Sequence, residues 1–413
     1  MKLELIGFPL DHSWSPEIHR YFLNEEYTLH AMPEEALEGY FQARDFDGIN
    51  VTIPYKEKVM PYLDNIDPQA AKIGAVNCIV NRDGVLTGYN TDAIGFMDML
   101  RNNGIETQGR KAAVLGSGGG SKACCAALAD LGAEPVTVSR SPKEGSISYD
   151  ELYQREAEFQ ILVNATPLGM YPGNDTVPVD LERFSALEAV VDIVANPLCT
   201  ALQFEAKIRG IRSLGGFEML VNQALASDRI FTGTDMADAS AEACMREILK
   251  KRRSIILIGM PTCGKTTLAE MVAESTGRTL VEMDKELEEE FGCSIREVFA
   301  EKGEGYFRAA ETALAERLRA AENCVVSCGG GIIKNAVNMR YLRERGMVFW
   351  ISRDPDKLYG TADRPLSTTR DQIMQLYRER RDLYALYSDA VIENNGTLPE
   401  AVEKILKQAG EIE

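Results

Sequence analysis

Gly259-Met260-Pro261-Thr262-Cys263-Gly264-Lys265-Thr266 matches G-x-x-x-x-G-K-[ST] in full. The apolar run Ile255-Ile256-Leu257-Ile258 before it reads as a buried strand, and Leu268 to Glu274 after it reads as helical. Strand, glycine turn and helix are what a phosphate-cradling loop needs. Its backbone N–H groups wrap the phosphates, its lysine reaches the terminal ones, and its Ser/Thr hydroxyl meets Mg²⁺. The stretch Thr262, Cys263, Gly264, Lys265, Thr266 and Thr267 is therefore expected to hold a nucleoside triphosphate, with Thr266 on the metal. The motif starts at residue 259 of 413, so the preceding residues must form at least one other folded unit.

The bulk numbers fit that plan. Hydrophobic residues make up 45%, enough for real cores, and no apolar run approaches the length of a membrane span. The N-terminus enters a strand-like pattern at once, without the plan of a signal peptide. A net charge of −18 disfavours nucleic acid and anionic membranes as partners. The one basic run, Lys250 to Arg253, reads as the solvated end of a helix before the next strand; a nuclear address or a phosphate patch is the other reading. Nine cysteines without a C-x-x-C pair, beside only three histidines, point to reduced thiols in a cytoplasm and away from zinc.

Strand-like and helical segments alternate throughout, which predicts parallel α/β sheets. Lys111 to Leu115 reads as a strand. It runs into Gly116-Ser117-Gly118-Gly119-Gly120-Ser121, then a helix over Ala123–Leu131 and a strand over Pro135–Val138. That order suits a dinucleotide whose pyrophosphate lies at a helix N-terminus. The second strand ends on Ser139-Arg140-Ser141, with Lys143 nearby, where an NAD enzyme carries an acid. A guanidinium there suits a 2′-phosphate, so NADP is expected; an exposed surface cation is the plain alternative. Upstream, Lys56 follows a probable strand and Asn90-Thr91-Asp92 precedes a helix. Each is ordinary alone, a surface lysine and a helix cap. Together they could supply the proton that a carbonyl oxygen takes up as hydride reaches its carbon. Phe217–Ala226 and Ala237–Leu249 read as helices broken near Gly233.

Here the sequence resembles a known family. Ser13-Trp14-Ser15-Pro16, Asn50-Val-Thr-Ile-Pro-Tyr-Lys56, Ala75-Val76-Asn77, Asn90-Thr91-Asp92, the glycine run, Asn164-Ala165-Thr166 and Gly216-Phe-Glu-Met219-Leu-Val-Asn-Gln223 occur in the order seen in shikimate dehydrogenases, over about residues 1–245. The resemblance implies a substrate domain over 1–92 plus 217–249 and a Rossmann NADP domain over 93–216. It implies Ser13 and Ser15 on the substrate carboxylate, Thr52, Asn77, Asp92 and Gln223 on ring hydroxyls, and Lys56 with Asp92 as the catalytic pair. Thr166, Ile193, Gly216 and Met219 would complete the cofactor site. In the loop 192–197 the chain has Ala195 where the family usually has Tyr, which removes a hydroxyl near the carboxylate site.

The last 165 or so residues lack H-R-D, D-F-G and N-K-x-D motifs, so neither a protein kinase nor a GTPase is expected. Phosphoryl transfer needs positioning and cations around the moving charge. Asp284, Arg308, the triplet Gly329-Gly330-Gly331, Arg364 in Arg-Pro-Leu, and Arg380 follow the loop in order. This set resembles shikimate kinase over about residues 253–410, a parallel α/β P-loop fold of the nucleoside-monophosphate-kinase type assigned to 250–413. It implies that Asp284 grips ring hydroxyls and acts on the attacking one. Arg308 and Arg380 would pair with the carboxylate, Gly330 would pack on the ring, and Arg364 would close with a lid. Glu282 replaces the family's first acid, and Gly360 replaces an arginine against the adenine. Together the halves imply a bifunctional enzyme of aromatic amino acid biosynthesis. It would reduce 3-dehydroshikimate with NADPH and then phosphorylate shikimate with ATP and Mg²⁺. The alternatives are one half kept only as a ligand-sensing or scaffolding module, or a first half that oxidises quinate. Oligomeric state is not legible.

Overall fold

The computed structural model describes residues 1–10, 13–359 and 369–412. The chain divides into two compact units, Met1–Ile248 and Leu249–Glu413. The first unit contains two six-stranded sheets. The sheet nearer the N-terminus is built from β1 (Leu3–Gly7), β2 (Tyr27–Ala31), β3 (Gly48–Val51), β4 (Asn65–Ile66), β5 (Cys78–Arg82) and β6 (Val85–Tyr89), in the order β2-β1-β3-β5-β6-β4. It is mixed, which corrects the all-parallel expectation: β5 runs antiparallel to both β3 and β6. The reason is local. Asp83 and Gly84, both with positive φ, turn the chain tightly between β5 and β6, leaving no room for a crossover helix.

The second sheet holds β7 (Lys111–Leu115), β8 (Glu134–Val138), β9 (Ser146–Ile147), β10 (Ile161–Asn164), β11 (Ala189–Asp192) and β12 (Arg212–Gly215). All its pairings are parallel, in the order β12-β11-β10-β7-β8-β9. Read from the far edge this is the 3-2-1-4-5-6 order of a Rossmann sheet, with its switch point between β7 and β10. Apolar residues on both faces, among them Ala112, Val114, Leu115 and Val163, are fully buried. Covering helices on each side require that of a parallel sheet.

The helices Asp92–Asn102 and Gly216–Thr232 cross at Gly95, where a Cβ would lie 2.6 Å from Met219 O and 2.8 Å from Gln223 N. Only glycine permits that backbone approach, and it brings Asp92 and Gln223 to one place. Gly216–Thr232 is one helix; the break at Gly233 agrees with the sequence reading, and the next helix is Ala241–Arg252. The basic run ends that helix.

The second unit has one parallel sheet of β13 (Ser254–Ile258), β14 (Thr279–Glu282), β15 (Cys324–Ser327), β16 (Gly346–Ser352) and β17 (Ala390–Glu393). The order is β14-β15-β13-β16-β17, so β13 lies at the centre and delivers Gly259–Gly264 to the carboxyl edge. β13 is buried along its whole length. Among the described residues no helix is long and apolar enough to cross a membrane.

Candidate active sites

In the first unit, Lys56 Nζ lies 2.6 Å from Asp92 Oδ2, with the two side chains 18% and 8% exposed. The sequence reading allowed Asp92 to cap its helix. The acceptor there is instead Asn90, whose Oδ1 takes the Ala93 N–H at 3.1 Å, and this leaves the Asp92 carboxylate to Lys56. Asn77 and Gln223 also meet: Asn77 Nδ2 donates to Gln223 Oε1 at 3.3 Å and to Thr91 Oγ1 at 2.9 Å. Asn77 Oδ1 accepts the Thr91 N–H at 2.6 Å.

Behind these groups is a buried polar frame that sequence reasoning missed. Thr91 Oγ1 lies 2.9 Å from Ser227 Oγ, and Ser227 accepts from Asn50 Nδ2 at 2.8 Å and donates to Gln223 O at 3.0 Å. Each buried polar atom here replaces water with a fixed partner, so the frame locks the rotamers of Asn77 and Gln223. Thr52 directly follows β3 and lies beside Gly7, where any Cβ would collide with the Thr52 methyl. Ser13 Oγ accepts the Ser15 N–H at 3.1 Å. Ser15 opens the helix Ser15–Leu23, and His19 on that helix lies 2.6 Å from Asp228 on the helix carrying Gln223.

The glycine loop after β7 abuts this pair. A Cβ on Gly119 would stand 3.1 Å from Lys56 Cβ, and one on Gly120 would stand 3.1 Å from Ile193 Cδ1. Gly118 faces nothing within 4 Å, which leaves its backbone open to a ligand at the N-terminus of the helix Gly119–Asp130. Gly116 has φ 109°, left-handed backbone that favours glycine, and Ser121 Oγ donates to its carbonyl at 2.7 Å. Arg140 and Lys143 are exposed past the end of β8, and Ser139 Oγ accepts the Ser141 N–H at 3.2 Å. Thr166 Oγ1 donates to Asn164 Oδ1 at 2.7 Å. Gly216 sits against the Ile193 carbonyl with no room for a Cβ, and Met219 is buried one turn on. This cradle fits a dinucleotide.

In the second unit a cavity of about 450 Å³ is lined by Thr262, Lys265, Thr266, Thr267, Glu282 and Asp284 among others. Gly264 caps the helix Lys265–Thr276 with φ 97°, and the Asn394 amide fills the space a side chain would need. Asn394 Nδ2 also donates to Cys263 O at 2.8 Å. Lys265 Nζ donates to the carbonyls of Gly259 at 3.0 Å and Met260 at 2.9 Å, so it folds back on its own loop. Thr262, at φ 63°, is tied to the backbone of Tyr359 in both directions.

Asp284 lies in the first turn of the helix Met283–Phe291, and a Cβ on Gly329 would stand 2.7 Å from its Oδ1. The triplet glycines also receive the arginines. Arg308 packs where a Gly331 side chain would be, and Arg380 Nη1 donates to Gly330 O at 2.8 Å beside the Tyr384 hydroxyl at 2.6 Å. Glu311, absent from the sequence reading, is 2% exposed and 2.8 Å from Arg308 Nη1. Burial raises its pKa despite Arg308. Its spacing of three from Arg308 on a helix was the available signal. Arg364 and Gly360 lie outside the described residues, as does most of the expected lid.

The family model described as the shikimate dehydrogenase substrate binding domain matches residues 5–79. The NADP(+) shikimate dehydrogenase of Caldanaerobacter subterraneus subsp. tengcongensis is 38% identical over 253 residues, covering 55% of this chain and 90% of that protein. Shikimate dehydrogenase 1 of Peptoclostridium difficile superposes with TM-score 0.57 at 34% identity, covering 60% of this chain and 98% of its own. The Thermus thermophilus enzyme, solved with NADP(H) and shikimate, gives TM-score 0.54 at 34% identity over 60% of this chain and 99% of its own. The chain belongs to the shikimate dehydrogenase family. Beyond the segment those relatives cover, the shikimate kinase family model matches residues 261–409, so the chain is a fusion of the two.

Proposed function

We propose that this chain reduces 3-dehydroshikimate to shikimate and then phosphorylates shikimate to shikimate 3-phosphate. The observation that carries the reading is the pairing of two glycine cradles, each beside a cluster of carboxylate-binding and hydroxyl-binding side chains, in one polypeptide. Both halves match their families, so a first or second half reduced to a sensor is not favoured.

In the first unit, residues 1–92 with 217–249 hold the substrate and 93–216 hold NADP. Ser13 and Ser15 take the carboxylate; Thr52, Asn77, Asp92 and Gln223 take ring oxygens. NADPH supplies the hydride. The Lys56 ammonium, held by Asp92, gives a proton to the carbonyl oxygen as charge builds there. In the second unit, the kinase domain over residues 250–413 holds the phosphates at the loop Thr262–Thr267 and a Mg²⁺ at Thr266. Asp284 orients the attacking hydroxyl, and Arg308 and Arg380 fix the ring by its carboxylate at Gly330. Phosphoryl transfer asks mainly for this positioning.

The test is a one-pot reaction with dehydroshikimate, NADPH, ATP and Mg²⁺. Shikimate 3-phosphate should accumulate in step with NADPH loss. NADPH loss that stops at shikimate would remove the kinase half; no NADPH loss would remove the first. A second prediction concerns Arg140. Arg140→Ala should raise the KM for NADPH by roughly 10–100-fold, the worth of a charge-assisted hydrogen bond, and leave the KM for NADH unchanged. Equal effects on both cofactors would show that Arg140 does not read the phosphate.

A further inference from the structure

Asp192 is the last residue of β11, fully buried, and no catalytic or binding role above uses it. Its carboxylate collects three donors from three segments. Asn164 Nδ2, at the end of β10, donates to Oδ1 at 3.0 Å. The Val194 N–H donates to the same oxygen at 3.1 Å. Thr200 Oγ1, at the start of the helix Ala201–Ile208, donates to Oδ2 at 2.7 Å. Asn164 passes the constraint on, since its Oδ1 accepts both the N–H and the hydroxyl of Thr166.

The place matters as much as the bonds. In a 3-2-1-4-5-6 sheet one mononucleotide half lies over each three-strand set. Arg140 stands at the end of β8, so the adenosine half belongs over β7, β8 and β9. The nicotinamide half then falls over the ends of β10 and β11, the two strands that Asn164 and Asp192 close as a register pair. Ile193, next in the chain, packs against the glycine helix at Gly120 and against the start of the helix Gly216–Thr232 at Gly216.

We infer that Asp192 is a positioning residue for the nicotinamide half of the cofactor, acting through the turns at Thr166 and Ile193. The carboxylate itself does not touch the cofactor. It fixes the two turns that border the nicotinamide site, and its burial with all three donors satisfied makes that geometry rigid before the cofactor arrives. Burial outweighs the pull of the three donors and leaves this carboxyl raised to about 7. Its accepting role is therefore complete only above neutrality. The assignment rests on the dehydrogenase reading.

The full-length chain at pH 8, titrated with NADPH by fluorescence without second substrate, tests it. Asp192→Asn keeps the shape but cannot accept all three bonds. It should weaken NADPH binding roughly tenfold, while the KM for dehydroshikimate stays unchanged. Thr200→Val should weaken NADPH in the same direction, and Thr200→Ser, which keeps the hydroxyl, should restore it. Unchanged NADPH affinity in a folded Asp192→Asn variant overturns the inference. So does a parallel rise in both constants, which would mean general loosening. If Asp192→Asn does not fold, the Thr200 pair decides by the same criteria. Wild-type protein that binds no NADPH would instead sink the dehydrogenase reading, and this assignment with it.

Discussion

Lys56→Ala should lower NADPH-dependent reduction by roughly 10²–10⁴-fold, the usual contribution of a positioned proton donor. The ammonium stands 2.6 Å from Asp92 and packs against the dinucleotide loop at Gly119, so the proton donor and the cofactor cradle share a wall. Arg308 and Lys265 belong to the other compact unit, so ADP release with shikimate should stay at the wild-type rate. The two assays on one preparation make the comparison internal. A matching fall in phosphorylation would show that the units do not work independently. Persistent reduction would remove Lys56 from the chemistry.

Arg308→Ala should abolish shikimate phosphorylation and also weaken the second unit. The guanidinium has two duties. It is proposed to hold the substrate carboxylate, and it neutralises Glu311, which is 2% exposed, and Glu304. Removing one partner of a buried pair leaves an uncompensated charge, at a cost of about 3–5 kcal/mol. Arg308→Ala with Glu311→Gln separates the duties. The double variant should regain most of the lost thermal stability and none of the phosphorylation, because the neutral amide no longer needs the cation and the carboxylate still lacks one. Melting curves and the KM for shikimate check this. Recovery of activity with stability would show that Arg308 only supports the fold. An unchanged melt in Arg308→Ala would show that Glu311 finds another partner.

Both glycine cradles were legible because they are local. Gly116 and Gly264 are required by backbone angle, and those demands are written in consecutive residues. The placement of Arg140 past the end of β8 was legible for the same reason. The supporting groups were not. Thr91 meets Ser227 across 136 positions and Asn164 meets Asp192 across 28, and no periodicity relates such pairs. Polarity also misled. Ser227 and Asp228 interrupt the apolar pattern after Ala226, so the pattern predicts a helix end there. The helix continues to Thr232 because both polar side chains are buried, with Ser227 Oγ in the Thr91 frame and Asp228 Oδ1 against His19. The antiparallel β5–β6 pair escaped because alternation of element types does not report strand direction.

Two separately folded units on one backbone fix the ratio of the two active centres at one to one. Independent enzymes can be matched by making more of the slower; this chain has no such freedom. Whichever step has the smaller turnover number sets the throughput of both, and tuning must come from substitutions inside a pocket and not from copy number.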